Sequence, residues 1–163
     1  KYVKCRIWII LMPKWNQGHF TPRNKEKYIG KDVNNIQYRS SWELTMFRIC
    51  DNHPNILKWA SEELQIPFVN PLINKRTVYI PDLFVIYIDK FGHKKGEIIE
   101  IKPSKETMLE KAKTKKDKAS IAVNMAKWDA AKTWAKQNGL DFRVMTEEDL
   151  YINAQKTKKP RKK

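Results

Sequence analysis

Two short stretches of the chain place groups that could work on a phosphodiester. Pro81-Asp82 lies in a run of strand-forming residues, and Glu100-Ile101-Lys102 closes the next such run. Side chains alternate along a strand, so Glu100 and Lys102 share one face while Ile99 and Ile101 share the other. Asp82 lies on the strand expected to pair with this one, and one of the available registers sets its carboxylate beside Glu100. Two carboxylates and the backbone carbonyl of Ile101 make a hard oxygen set, which suits Mg²⁺ or Mn²⁺ and leaves positions for water and a phosphate oxygen. Such an ion lowers the pKa of a bound water and offsets charge on phosphorus. Lys102 can orient or deprotonate that water, or stabilise the developing charge; the spacing does not choose between these roles.

A third acid, Glu43, stands at the head of a helix expected from Ser40 or Ser41 to about Asn52. Trp42, Met46, Ile49 and Cys50 supply its apolar face, and Asn52-His53-Pro54 ends it. Ser40-Ser41-Trp42-Glu43 also has the spacing of a capping box, in which the glutamate reaches back to free backbone amides. Capping and aiming at a metal are compatible roles for Glu43. Taken alone, Glu100-Ile101-Lys102 also fits an ordinary strand face alternating acid and base.

These groups need a scaffold. A short helical turn is expected around Ile56 to Ala60. Leu64–Val69 and Thr77–Ile88 read as a hairpin broken by Asn70-Pro71 and Asn74-Lys75-Arg76, with Pro81 bending the second strand next to Asp82. A turn at Gly92 leads into Glu97–Lys102, stopped by Pro103. A long helix is expected from Lys105 to Asn138, with Ala119, Ala122, Val123, Ala126, Ala130, Thr133 and Trp134 on one stripe and Gly139 as its stop. Leu140–Met145 is a last short strand, and Thr146 to Asp149 looks like the cap and first turn of a small helix. The order is α-β-β-β-α-β.

At 163 residues the chain suits one domain with tails. We divide it into an N-terminal extension and basic arm (1–37), a core (38–150) and a basic C-terminal tail (151–163). The net charge of +15 favours an acidic polymer as partner, nucleic acid before anionic membrane. Arg39 beside the first helix and Lys105 past the acidic strand are candidates for phosphate contacts. Lys127 on the long helix and Lys158, Lys159 and Arg161 in the tail join them, although Trp128 next to Lys127 also fits a core. The tail reads equally as a DNA-contacting arm and as a solvated terminus. From Trp15 to Gln37 the arm interleaves cations with Phe20 and Tyr28, which fits either stacking on bases or packing over its own domain.

Only Cys5 and Cys50 are present, neither at zinc-ligand spacing. Cys50 falls on the apolar side of its helix as a buried thiol, and a reducing, intracellular setting fits. Ile7–Met12 is apolar but too short to span a bilayer and lacks a cleavage site, so no membrane partner and no secretion are expected. Met12 reads like an ordinary start, and the residues before it are expected to be upstream translation or a fragment edge.

Glu43 on the first helix, Pro81-Asp82 and Glu100-Ile101-Lys102, in that element order, resemble the PD-(D/E)xK nuclease superfamily over roughly residues 38 to 146. Tyr38-Arg39-Ser40-Ser41-Trp42-Glu43, Trp59-Ala60-Ser61-Glu62-Glu63, Ile66-Pro67-Phe68 and Tyr79-Ile80-Pro81-Asp82 look more specifically like the head-completion nuclease family of T-even-type tailed phages. That family is related to the TnsA transposon endonucleases. The resemblance implies an α/β, restriction-endonuclease-like core with a four-stranded mixed sheet flanked by helices. It also implies Mg²⁺-dependent DNA cleavage, with Asp82 and Glu100 as metal ligands, Lys102 as catalytic lysine, Glu43 as helix acid and no organic cofactor. Its setting would be the host bacterial cytoplasm during assembly or the virion, with packaged DNA and head or neck proteins as partners. Two other functions fit the residues: a non-catalytic DNA-binding or phage neck protein, and a transposase-like or junction-resolving endonuclease.

Overall fold

The computed structural model describes residues 17–150. The expectations for Cys5, Ile7–Met12, Trp15 and the tail with Lys158, Lys159 and Arg161 lie outside them. In chain order the strands and helices are β1 (Gly18–Phe20), β2 (Ile36–Tyr38), α1 (Ser41–Asn52), β3 (Ile56–Ser61), β4 (Ile66–Asn70) and β5 (Lys75–Tyr79). They continue with β6 (Leu83–Ile88), β7 (Lys94–Ile101), α2 (Lys115–Gln137) and β8 (Asp141–Met145).

The main sheet has the order β3-β6-β7-β8, antiparallel except for the parallel pair β7 and β8. One face is covered by α1, whose Met46, Phe47 and Cys50 join Trp59, Leu83, Val85, Ile99 and Ile101 in one buried cluster. The other is covered by α2 and by the separate β4–β5 hairpin, where Ile66, Phe68 and Tyr79 meet Ile98, Trp128, Ala131 and Ala135. Strand β7 is buried on both faces from Glu97 to Ile101, so a carboxylate at position 100 is set inside the molecule rather than on a solvated strand face. With the hairpin counted as an insertion, the elements run α1-β3-β6-β7-α2-β8. This is the expected α-β-β-β-α-β order, with its four-stranded mixed sheet flanked by helices, but the first of its strands is β3 and not the expected Leu64–Val69 strand, which lies in the separate hairpin.

Several elements differ from their sequence expectation. Residues 56–60 form no helical turn; they belong to edge strand β3, because Trp59, Ala60 and Ser61 find buried places opposite Val85, Phe84 and Leu83. The expected strand Thr77–Ile88 is two strands. It breaks at 80–82 because Pro81 has no N–H for a ladder, so the hairpin partner of β4 ends at Tyr79. The helix expected from Lys105 starts at Lys115, where Thr114 and Asp117 form a capping box, and single 3-10 turns at Ser104–Glu106 and Leu109–Lys111 fill the space before it. Its buried stripe is Ile121, Asn124, Trp128, Ala131 and Ala135, rotated from the alanine stripe expected. In α1 Met46 and Cys50 are buried as expected, but Leu44, Phe47 and Asp51 join them while Trp42 and Ile49 are only partly buried. Gly139 does end α2, with φ +67°, and Asp149 caps residues 147–150 by accepting from Thr146 N at 2.8 Å.

The described part of the arm packs over its own domain. Phe20 and Tyr28 meet Trp59 edge-on at centroid distances of 5.9 and 4.8 Å. Buried Asp51 accepts the N–H groups of Arg23 and Asn24 at 2.9 and 3.0 Å, fixing the arm to the end of α1. Ile29 N donates to Trp59 O at 2.9 Å, which covers the outer edge of β3. These aromatics therefore serve the core and are not presented for base stacking. Cys50 is buried, and burial pushes its thiol up to about 12, as expected of an inert core thiol. Among the described residues, no helix is long and apolar enough to cross a membrane.

Candidate active site

Register brings the acids together. Leu83 pairs with Ile99 in the antiparallel β6–β7 ladder, so one step further along each strand Asp82 stands opposite Glu100, on the face that Ile98 shares. Asp82 Oδ2 accepts the N–H of Ile101 at 2.6 Å. The N–H and C=O of a strand residue point to the same edge, so the Ile101 carbonyl lies on the Asp82 side. Lys102 N turns the other way, donating to Met145 O at 2.9 Å.

Glu100 is only 3% exposed. Its Oε1 lies 3.1 Å from Lys102 Nζ, and its Oε2 accepts the Tyr79 hydroxyl at 2.5 Å. Burial, and after it the Glu100 charge, pushes the Tyr79 phenol far above its ordinary value, so Tyr79 is a donor at any working pH. Burial alone would lower the Lys102 ammonium, but Glu100 and Asp82 outweigh it and hold Lys102 above its usual value. Lys102 is therefore a cation here. The Asp82 carboxyl is pushed up to about 8, by burial first and Glu100 second, against the pull of Lys102 and the Ile101 N–H; Glu43 adds a smaller push.

One lysine thus faces more negative charge than it can neutralise. Among the described residues, no group of three or more His, Cys, Asp or Glu side chains is placed to hold a metal ion. The donor set on offer is two carboxylates and the Ile101 carbonyl, hard oxygens that fit a Mg²⁺-type cation better than a soft one. A buried Glu100 and a half-buried Asp82 that repel each other are what an added positive charge would relieve, so the residues fit such an ion.

Glu43 is placed as its capping role requires. Its Oε2 accepts the N–H of Arg39 at 2.8 Å and its Oε1 the Ser40 hydroxyl at 2.8 Å, while Ser40 Oγ accepts Glu43 N at 3.1 Å. Only its field reaches Asp82. Among the candidates for phosphate contacts, Arg39 is paired with Glu62, and Lys105 is exposed on the turn after β7. Lys127 Nζ sits 5.9 and 5.7 Å from the ring centroids of Phe68 and Tyr79, which places it beside the tyrosine that holds Glu100. Trp128 next to it is core.

Tyr79 is the residue that sequence reasoning missed. The signal was available: a tyrosine facing inward beside Ile66 and Phe68 must find an acceptor for its hydroxyl, and the nearest acids in that layer are Asp82 and Glu100.

Residues 53–147 match the family described as TnsA-like endonuclease N terminal. The head completion nuclease of Enterobacteria phage T4 is 36% identical over 143 residues, covering 82% of this chain and 92% of that protein. The family match runs from the C-terminal end of α1 to just past β8. It takes in Tyr79, Asp82, Glu100, Ile101 and Lys102 and leaves Glu43 outside.

Proposed function

The chain belongs to the TnsA-like endonuclease family, and from that membership we propose that it is a divalent-metal-dependent DNA nuclease of phage type, acting on packaged DNA at head completion. The observation that carries this is the Asp82–Glu100–Lys102 cluster, with Glu100 buried and Asp82 and Lys102 half-buried, whose two carboxylates lack enough counter-charge of their own. Likeness to a phage head completion nuclease and the net charge of +15 support the setting and the substrate.

In this proposal Asp82, Glu100 and the Ile101 carbonyl would hold Mg²⁺, with Mn²⁺ as a substitute. When bound, the ion supplies a water of lowered pKa and Lewis acidity at the phosphate. Lys102, a cation next to the acids, orients the attacking water and stabilises charge developing on the phosphate. Tyr79 fixes the Glu100 carboxylate, and Glu43 holds the start of α1 while adding to the field on Asp82. Arg39, Lys105, Lys127, Lys158, Lys159 and Arg161 would contact DNA phosphates, Arg39 after release from Glu62. The catalytic unit is the 38–150 core, working in the host cytoplasm with head or neck proteins as neighbours.

Plasmid incubated with the full chain should be nicked or degraded with Mg²⁺ or Mn²⁺ and left intact with EDTA. Tight DNA binding without cleavage under any divalent ion would instead make the chain a binding module. Tyr79→Phe, which removes a single hydroxyl from the support of Glu100, is expected to slow cleavage about 10- to 100-fold. The metal concentration needed for half-maximal rate should rise with it, while DNA affinity stays level; an unchanged metal titration would take Tyr79 out of the site.

A further inference from the structure

We propose that the β4–β5 hairpin is a wedge whose tip, Leu72 and Ile73, enters the DNA duplex and unstacks a base step on the same stretch of duplex as the phosphate being cut, roughly six steps from it. Resting as it does on the nuclease function above, this role adds a substrate preference: duplex that is easily deformed or frayed, over stiff and fully stacked duplex.

The tip is apolar and presented to water. Leu72 and Ile73 are 57% and 59% exposed, although neither is needed to close the turn. The turn is held by its flanking residues: Asn70 Oδ1 accepts Leu72 N at 3.0 Å, and Asn74 takes the left-handed conformation at φ 48°. Two adjacent aliphatic side chains are thus displayed on a pre-shaped loop. Directly beneath them Lys75 and Arg76 are exposed, and no acidic residue occurs from Leu64 to Pro81. A protein-docking surface in a chain with 18 acids would be expected to carry both signs. Aliphatic residues over single-sign cations match the chemistry of side chains that part base steps while phosphates are held alongside.

The hairpin is also rigidly tied to the catalytic cluster. Its inner face, Ile66, Phe68 and Tyr79, is buried against Trp128, Ala131 and Ala135 of α2, and Tyr79 at the foot of β5 bonds Glu100. A strand rises about 3.3 Å per residue, so the tip stands roughly 20 Å along the chain from that foot. That distance corresponds to roughly six base steps of about 3.4 Å, which puts a distortion made by the tip on the same stretch of duplex as the scissile phosphate. Unstacking costs least at flexible pyrimidine–purine steps, mismatches and ends, and this is the source of the preference.

The test uses the full chain in EDTA with short duplexes carrying 2-aminopurine at successive positions. Wild type should raise the fluorescence at least about threefold at one or two neighbouring positions. L72S/I73S, with both changes on exposed side chains, should lose that rise while its circular dichroism is unchanged and its DNA affinity stays within about threefold. K75A/R76A should lower the slope of log Kd against log salt by about 2. In Mg²⁺, L72S/I73S should also lose the preference of wild type for mismatched over matched duplex. No rise with wild type, or an equal rise with L72S/I73S, would overturn the wedge. So would a wild type that self-associates in sedimentation while L72S/I73S does not, because the tip would then be covered by a second copy. Plasmid cleavage by wild type separates the two levels: cleavage without a fluorescence rise removes the wedge alone, and a rise without cleavage removes the nuclease function alone.

Discussion

Asp82→Asn is expected to give a protein that melts higher than the parent in the absence of divalent ions, still binds DNA, and cleaves it at least about 10³-fold more slowly. Both halves of this result come from the same carboxylate. In the metal-free molecule Asp82 is half-buried opposite Glu100, and its carboxyl is pushed up to about 8, by desolvation first and the Glu100 charge second, with a smaller push from Glu43. Asparagine removes the charge that burial and Glu100 disfavour and keeps an oxygen to accept the Ile101 N–H. The gain should be on the order of 1–2 kcal/mol, each kcal/mol moving Tm by about 2–4 °C in a chain of this size. The sign with pH follows from linkage. An acid whose folded pKa is raised adds stability that is present below its unfolded value, about 3.9, and is lost as pH rises through the folded value, about 8. The parent without metal should therefore melt progressively lower than Asp82→Asn between pH 5 and pH 8. Adding Mg²⁺ should reverse the order, because an ion at 100 times its Kd stabilises the parent by about 2.7 kcal/mol and has lost a ligand in the variant. Melting curves on the two proteins over pH and Mg²⁺ check all of this. A variant that melts below the parent in EDTA would show that Asp82 is not under electrostatic strain.

The juxtaposition of these side chains was legible because strand alternation is an inflexible rule: Glu100 and Lys102 had to share a face, and one register would set Asp82 against Glu100. What could not be read was the burial. Glu-Ile-Lys looks the same on a solvated strand, and only the packing of α1 on one side of β7 and α2 with the hairpin on the other makes Glu100 an interior acid. The strand that displaced the expected helical turn at 56–60 was hidden for a related reason. Its buried residues, Trp59 to Ser61, follow exposed Leu57 and Lys58, so no period of two runs the length of the element. Alanine misled along α2, where small residues fit either face and Trp128 decides the buried stripe. Pro81 was correctly singled out as a disruption but read as a bend within one strand. Its missing donor ends the hairpin and lets the chain enter the main sheet afresh at Leu83, which leaves Asp82 at the strand mouth. Glu43 showed both its possible roles in the sequence, and its two short contacts with Arg39 and Ser40 account for the capping one.

Lys102→Ala should abolish cleavage to a similar degree, at least about 10³-fold, yet with the opposite effect on stability. Among the described residues Lys102 is the cation paired with Glu100, at 3.1 Å, and removing it leaves a nearly inaccessible carboxylate held by the Tyr79 hydroxyl, with a repelling Asp82 opposite. Breaking such a pair costs roughly 1–3 kcal/mol where one partner keeps some exposure, so this variant should melt below the parent in EDTA while Asp82→Asn melts above it. Mg²⁺ should restore part of the loss, since the ion can take over the counter-charge. Lys102→Arg keeps the charge but spreads it over a planar fork, and should fall between alanine and the parent in both stability and rate. The pH dependence separates the chemical roles of the amine. Glu100 and Asp82 hold Lys102 above its usual value, so the stability drawn from the pair is fully present below the unfolded lysine value near 10.4 and is lost only as pH rises through the higher folded one. As a cation that orients water and offsets charge, Lys102 should confer the same rate advantage over alanine across pH 6 to 9. If the parent rate instead climbed about tenfold per pH unit while the alanine variant stayed flat, the amine would be acting as the base, and the bound ion would have to be what releases its proton.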